Sequence, residues 1–148
     1  MSLLHLANAE DIEQLLPLVA AFHAEKGLDT DTVDPREAVM PLLDGSPHGA
    51  IWLIGPRRAP VGYVAISFGW SLEYGGVRAM VDEIYVRQAV RGRGMGFEAL
   101  NGIAKALGAG GVQVLYLEVD RDDARALRFY SRARFTPHDD TLFMTRLL

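Results

Sequence analysis

Short apolar runs bounded by turn residues predict several strands in the first 86 residues. Runs rich in valine, isoleucine and aromatic residues, flanked by glycine, proline or asparagine, are typical of strands. The predicted strands cover residues 3–6, 50–54, 61–70 and 77–86. The pair Gly75-Gly76 lies between the last two runs, so we expect them to form an antiparallel hairpin.

Other segments carry the helical period. The stripe Ile12, Leu15, Leu16, Val19 and Phe22 follows Asn8 and Asp11, which have the spacing of a helix cap. A second stripe, Leu100, Ile103, Ala104 and Leu107, ends at a cluster of glycines. Shorter helices are predicted over residues 35–43 and 122–133.

The second half of the chain completes the predicted fold. Residues 112–119, VQVLYLEV, are nearly all apolar, as in a strand covered on both faces. The segments FTPH and TLFMTRL near the end suggest a final hairpin. Antiparallel strands, then a β–α–β unit, then a helix and strands predict an α/β fold, a mixed sheet with helices on both faces.

Composition narrows the classes of function. A chain of 148 residues with 49% hydrophobic and 23% charged residues predicts a single domain over residues 1–148. The net charge of −4 argues against a general nucleic-acid binder. No apolar run approaches membrane-spanning length, so we expect a cytoplasmic protein without a membrane partner. The absence of cysteine excludes disulfides, thiolate metal sites and a cysteine nucleophile.

Residues 86–99, VRQAVRGRGMGFEA, have the composition of an anion site at a strand-to-helix junction. Glycines let backbone amides approach a ligand, and the helix N-terminus adds unpaired donors with partial positive charge. A Walker-type loop is excluded because Phe97 and Glu98, rather than lysine and a hydroxyl residue, follow Gly96. A dinucleotide-binding turn over residues 94–99, with Glu118 on the ribose, remains open. It fits poorly, because RQAVR separates the glycines from the preceding strand.

Two motifs resemble those of the GNAT superfamily of acetyl-CoA-dependent N-acetyltransferases. Arg91-Gly92-Arg93-Gly94-Met95-Gly96 resembles the family's pyrophosphate loop, between its fourth strand and third long helix. Residues 123–135, DARALRFYSRARF, resemble a second family segment in the expected order. The resemblance implies a GNAT-type sheet of about seven strands with about four helices. It also implies acetyl-CoA as cosubstrate, no metal, and direct transfer to an amine.

The resemblance also implies where the cofactor binds. The amides of residues 92–97 would hold the pyrophosphate, with Arg91 and Arg93 adding charge. The fourth strand would diverge from the fifth, placing the backbone of Ile84, Tyr85 and Val86 along the pantetheine arm. Asp123 replaces an asparagine that contacts this arm in the family. Arg134 replaces a glycine that closes the last helix.

The resemblance makes Tyr130 the candidate acid that protonates the departing thiolate, although a packing tyrosine would fit the same pattern. Asp82 and Glu83 are the candidate bases. Because neighbouring strand residues point to opposite faces, we expect only one of them to face the acceptor, and the longer Glu83 is favoured. A carboxylate that merely pairs with an arginine is the alternative for either residue.

The sequence predicts the type of reaction more specifically than the acceptor molecule. The family places the end of the first helix and the hairpin tip at the acceptor site, which gives five candidate residues: Phe22, Glu25, Trp70, Glu73 and Tyr74. Acidic residues around positions 25–34 favour a small cationic amine, and the layout around residues 67–86 resembles the diamine and polyamine acetyltransferases. A peptide or protein lysine, an aminoglycoside and an amino acid remain alternatives. A non-catalytic acyl-CoA-binding module is the alternative from another class.

Two further expectations concern histidines and assembly. The four histidines lack metal-ligand spacing, so they are interpreted as structural or surface residues. The oligomeric state is left open, although a homodimer is usual for such folds.

Overall fold

Five strands form one sheet in the part of the chain that the computed structural model describes, residues 3–148. They are β1 (Leu4–Leu6), β2 (Gly49–Ile54), β3 (Gly62–Ser71), β4 (Gly76–Val86) and β5 (Val114–Tyr116). The strands lie in chain order, with antiparallel pairing from β1 to β4 and parallel pairing between β4 and β5. The mixed sheet and the hairpin that the sequence predicts are therefore confirmed, with five strands in place of about seven.

Helices cover both faces of this sheet. They are α1 (Ile12–Lys26), α2 (Pro35–Leu43) and α3 (Met95–Ala109), and α4 (Ala124–Arg132) follows β5 in the chain. A short 3₁₀ turn precedes α1, and its predicted cap is present. The Asn8 side chain accepts a hydrogen bond from the backbone of the turn, and the Asp11 side chain accepts one from the Asn8 backbone N–H. Asp11 also accepts a hydrogen bond of 2.8 Å from Arg57.

The core lies between the sheet and the first two helices. Leu15 and Leu18 of α1 and Leu43 of α2 pack there with Leu53 and Tyr63 of the strands. Strand residues that point the other way, such as Ile66, are also buried, as are Leu100 and Ile103 of α3. Apolar side chains at every second strand position, and at the helical period in the helices, are thus buried on both faces of the sheet. This burial holds β4 in position.

The chain divides into two compact units, one ending at Glu118 and the other covering Val119–Leu148. The final hairpin predicted in the second unit is wrong, since no strand is present within residues 119–148. Pro137 has no N–H to donate to a strand pairing. Leu142 and Phe143 are largely exposed, so a strand at these residues would not bury an apolar face. The predicted strand over 112–119 is also shorter and only half-buried, with pairing limited to Val114–Tyr116.

Candidate active site

A β-bulge in β4 places both acidic residues of that strand on one face of the sheet. Ala65 pairs with Glu83, whereas the next residue of β3, Ile66, pairs with Val81, so Asp82 is the extra residue. A bulge interrupts the alternation of side chains along a strand. Ala65 and Ser67 point to the same face of the sheet as Glu83, and Asp82 contacts the Ser67 hydroxyl on that face. The prediction that the two carboxylates point to opposite faces is therefore wrong.

Glu83 is held by side chains from two other elements. The Tyr63 hydroxyl on β3 donates a hydrogen bond of 2.8 Å to Oε1 of Glu83. Nε2 of His23, on α1, lies 2.6 Å from Oε2. Burial, followed by the charge of Glu83, raises the pKa of Tyr63, so this hydroxyl keeps its proton and serves as a donor. We name the three side chains the Tyr63–Glu83–His23 cluster.

His23 is a residue that the sequence interpretation missed. It is grouped there with structural or surface histidines, yet its side chain is 22% exposed and is paired with a carboxylate 60 residues away. When Glu83 is ionised it can only accept hydrogen bonds, and the contact then requires the hydrogen on Nε2 of His23. Within a single sequence no spacing signals such a contact, because it depends on how α1 crosses the sheet.

Asp82 is more exposed than Glu83 and less firmly held. Its only hydrogen bond among the described residues is a long one of 3.3 Å from the Ser67 hydroxyl. Partial burial raises the pKa of Asp82, the Ser67 hydrogen bond opposes this, and the neighbouring charge of Glu83 raises it further. Asp82 is thus the weaker candidate for a fixed base.

The C-terminal half of β4 has no neighbour on one edge. Its parallel pairing with β5 covers three residue pairs and stops at Met80 and Tyr116. Within residues 3–148, no strand continues that edge alongside Ile84, Tyr85 and Val86. The pairing of β4 with β5 therefore ends before Ile84, and the predicted path of a pantetheine arm along this backbone stays a prediction.

The glycine-rich loop has the geometry of an anion cradle. Gly92 and Gly94 have φ values of 81° and 80°, a region that side chains with a Cβ rarely adopt, and Gly94 is the N-cap of α3. Across the described residues, the amides of residues 92–96 donate no hydrogen bond to a backbone or side-chain acceptor, whereas Glu98 N–H bonds to the Gly94 carbonyl. Open donors at a helix N-terminus are what a phosphate group requires.

The guanidinium of Arg91 is hydrogen-bonded to other groups of the protein. Its guanidinium makes two hydrogen bonds, of 2.7 and 2.6 Å, to the Glu25 carboxylate. Its Nε donates to the Val86 carbonyl at 2.7 Å, and the group lies over the Tyr85 ring. Arg93 is exposed and makes no such bond among residues 3–148, so it is the loop cation available to a ligand.

The residues predicted to wall the acceptor site do not come together. Phe22 is buried in the core against Tyr63 and Tyr85, so it packs instead of lining an open surface. Trp70 lies in an apolar groove with residues of α3, on the face opposite Glu83. Glu73 and Tyr74 are at the hairpin tip, seven or more residues along β4 from Glu83, or about 20 Å. Only Glu25, next to the loop, lies near the other candidates.

In the second unit, Tyr130 lies within a small aromatic cluster. Its ring packs edge-on against Phe129 and Phe135, with centroids 5.1 and 6.0 Å away. Burial, followed by the negative charge of Asp123, raises the pKa of Tyr130, which keeps the phenol protonated at neutral pH. Asp123 caps α4 by accepting a hydrogen bond of 3.0 Å from Ala126 N–H. Its predicted contact with a pantetheine arm stays a prediction.

Arg134 closes α4 in a left-handed conformation. Its φ is 72°, and it stands at the position where glycine is usual. Phe135 N–H bonds to the Tyr130 carbonyl and Arg134 N–H to the Ser131 carbonyl, which together form a Schellman motif. Arg134 therefore adopts the positive φ that usually favours glycine, at the cost of some backbone strain.

No group of three or more metal-ligating side chains is found among residues 3–148. Within the same residues, no helix is both long and apolar enough to cross a lipid bilayer.

Comparison with known proteins identifies close structural relatives. The sequence profile of the acetyltransferase (GNAT) family matches residues 13–135. An integron cassette protein from the mobile metagenome of Cole Harbour Salt Marsh is 32% identical, with a TM-score of 0.83 over 99% of this chain and 91% of its own. A putative acetyltransferase from Arthrobacter sp. FB24 is 27% identical, with a TM-score of 0.83 over 100% and 97%.

More distant structures share the fold alone. An aminoglycoside acetyltransferase from an uncultured soil metagenomic sample, solved with sisomicin, is 14% identical, with a TM-score of 0.82 over 98% of this chain and 95% of its own. No curated protein sequence matches the chain.

Proposed function

Because the chain belongs to the acetyltransferase (GNAT) family and is an acetyl-CoA-dependent N-acetyltransferase, we propose that its acceptor is the primary amine of a small cationic molecule, such as a polyamine. The observation that carries this proposal is the acidic segment directly after α1. Asp29, Asp31 and Asp34 are all exposed there, and none of them forms a salt bridge within residues 3–148. A cluster of unneutralised carboxylates raises the local concentration of cations.

The residues present fit acetyl-CoA. The open amides of residues 92–96 and the free Arg93 suit a pyrophosphate, and the unpaired edge of β4 at residues 84–86 suits the amides of a pantetheine arm. When bound, acetyl-CoA supplies an acetyl group already activated as a thioester. The protein then has to orient the amine, accept its proton and provide a proton for the departing sulfur.

We assign the base function to Glu83 rather than Asp82. Glu83 is fixed by Tyr63 and His23 on the face that carries α1, whereas Asp82 has one long hydrogen bond to Ser67. A general base must be held within reach of the proton it accepts, which favours the fixed carboxylate.

We assign the acid function to Tyr130. This assignment rests on the second family motif, with a phenol that is protonated at neutral pH. A phenol and a thiol have ordinary pKa values of about 10 and 8.5, close enough for proton transfer as the sulfur departs.

A panel of amines tests the acceptor. Release of free coenzyme A thiol is measured with a polyamine, an aminoglycoside, a lysine peptide, an amino acid and a neutral amine, at low and high salt. We expect the highest kcat/KM for polyamines, with an advantage that shrinks as salt rises. A neutral or anionic amine as the best acceptor would overturn the acceptor proposal. Coenzyme binding without turnover on any amine would make the protein a binding module.

A pair of charge variants sharpens this test. Asp29→Asn with Asp31→Asn removes two of the acidic charges while keeping side-chain size. Asp44→Asn with Asp140→Asn makes the same change in net charge elsewhere. The first variant is expected to lower kcat/KM for polyamines severalfold at low salt, and the second to leave it unchanged.

A further inference from the structure

Both oxygens of Glu83 already accept hydrogen bonds from the protein. Tyr63 donates to Oε1 at 2.8 Å and His23 occupies Oε2 at 2.6 Å. These contacts use two of the roughly four acceptor sites of a carboxylate and hold it against the imidazole, which it can orient and stabilise as an imidazolium. This arrangement resembles the carboxylate–imidazole pair of hydrolytic triads, in which the imidazole is the base.

The geometry points to Nδ1 of His23 as the atom that takes the proton from the acceptor amine, with Glu83 as its positioning residue. This inference rests on the proposed function. It identifies the group through which the Glu83 base function operates, and it brings into the reaction a residue of α1 that neither family motif contains.

The second ring nitrogen of His23 has the properties that this role requires. With its hydrogen on Nε2, the neutral imidazole has a free lone pair on Nδ1. The structure gives Nδ1 no hydrogen-bond partner within residues 3–148, and Nδ1 is not among the buried polar atoms left without one. The side chain is 22% exposed, so an amine or a bridging water can reach it.

The position of His23 also suits an incoming cation. His23 lies one turn before the end of α1, and the acidic segment of residues 27–34 follows directly. An amine attracted to that segment is concentrated near the end of α1 that carries His23. Phe22, packed against His23 with ring centroids 5.9 Å apart, fixes the α1 side of the pair.

The proton and bond changes balance as follows. A bond forms between the amine nitrogen and the acetyl carbon, and the carbon–sulfur bond breaks. The proton lost by the nitrogen moves to Nδ1, which converts the imidazole to an imidazolium that the Glu83 carboxylate stabilises through Nε2–H. The sulfur takes a proton from the Tyr130 phenol, His23 returns its proton to water, and water reprotonates the phenolate, so that both side chains regain their starting states.

Other titratable groups near the His23–Glu83 pair have to be considered in any pH profile. On the strands these are the hydroxyls of Tyr63 and Tyr85 and the carboxylate of Asp82. At the end of α1 they are Lys26 and Glu25, the latter neutralised by Arg91.

Kinetics of matched variants test the inference. His23→Gln keeps a donor for Glu83 but cannot take up a proton, and we expect kcat to fall roughly 10²-fold with unchanged affinity for coenzyme A. Raising the pH, which frees the amine of its proton, or adding imidazole should restore part of the rate. Glu83→Gln should lose rate similarly without rescue by imidazole, and His48→Gln, an exposed histidine, should behave as wild type.

Two outcomes separate failure of this inference from failure of the proposed function. A wild-type protein that acetylates no amine overturns the proposed function and, with it, the role of His23. A wild-type protein that turns over while His23→Gln stays within about threefold of it overturns the inference alone and makes Glu83 the base.

A spectroscopic readout is independent of turnover. In protein with ¹⁵N-labelled histidine and no ligand, we expect His23 to carry its hydrogen on Nε2, and Glu83→Gln to produce a mixture of both tautomers. His23 with its hydrogen on Nδ1 in the wild-type protein would overturn the inference, because that nitrogen could not then accept a proton.

Discussion

Glu25 and Arg91 join the last turn of α1 to the glycine-rich loop through two parallel hydrogen bonds of 2.7 and 2.6 Å. The pair fixes the guanidinium beside the anion cradle, but it also cancels most of the charge that Arg91 would offer to a phosphate. In the structure, the arginine that the loop motif marks for the cofactor therefore serves the protein's own architecture.

Removing the Glu25 charge should strengthen coenzyme A binding. In Glu25→Gln, Arg91 keeps a hydrogen-bonding neighbour but its positive charge is no longer neutralised, so we expect affinity to rise roughly threefold to fivefold. Calorimetry at low salt measures the change, and Glu13→Gln, which breaks the exposed pair with Arg36, is the control. A weaker affinity would mean that Glu25 positions Arg91 for the ligand.

The same variant should alter how stability depends on acid. The Arg91 hydrogen bond, opposed by partial desolvation, lowers the pKa of Glu25. A group whose pKa is lowered by folding stabilises the protein above its unfolded-state pKa and loses that effect as pH falls through the folded value. Between roughly pH 5 and pH 3, the free energy of unfolding should fall more in wild type than in Glu25→Gln. The difference should be small, because Glu25 is 43% exposed. Urea unfolding that shows the same loss of unfolding free energy in both proteins over this pH range would contradict the prediction.

The sequence predicts what is encoded locally. The capping pair Asn8 and Asp11 and the hairpin at Gly75 each depend on residues close together in the chain, and both are confirmed. The loop glycines Gly92 and Gly94 adopt positive φ, while phosphate binding there stays a prediction. The bulge at Asp82 leaves no such signal, because it arises from how two strands pair and not from a special residue at the site.

Contacts across the fold escape sequence reasoning for a related reason. The pairing of His23 with Glu83 depends on the path of α1 over the sheet, and a lone histidine beside an apolar stripe is also typical of a surface residue. The prediction that Trp70 lines the acceptor site is wrong because the position of a residue in a hairpin does not show which face of the sheet its side chain occupies.

The loop glycines can be tested with a matched pair. Gly94 and Gly45 have similar positive φ values, 80° and 75°, and open space around the position of a Cβ. Valine at either position therefore brings the same backbone strain, but only Gly94→Val puts a side chain at the amide cradle. We expect Gly94→Val to weaken coenzyme A binding by roughly 10- to 100-fold, the loss of one or more charge-assisted hydrogen bonds. Gly45→Val should bind normally, and equal affinities for both variants would contradict the cradle.

Arg134 offers a prediction about stability. Because φ is 72°, glycine relieves the strain that a Cβ causes there, partly offset by the entropy glycine loses on folding. Arg134→Gly should raise the free energy of unfolding by roughly 0.5–1 kcal/mol. In Arg128→Gly, the same change inside α4 should lower it by about 1 kcal/mol. Chemical unfolding measures both, and a destabilised Arg134→Gly would show that the arginine side chain contributes more than the strain costs.

Tyr130→Phe separates chemistry from packing. The ring contacts with Phe129 and Phe135 persist in the variant, and the hydroxyl makes no hydrogen bond within residues 3–148, so the melting temperature should hardly change. If the phenol protonates the departing sulfur, kcat should fall roughly 10²- to 10⁴-fold, while KM for acetyl-CoA stays the same because the interaction matters mainly in the transition state. Tyr116→Phe, a hydroxyl deletion on β5 outside the proposed machinery, is the control. A kcat within about threefold of wild type, with a melting temperature lower by several degrees, would make Tyr130 a packing residue. The sulfur would then leave unassisted or with a proton from water.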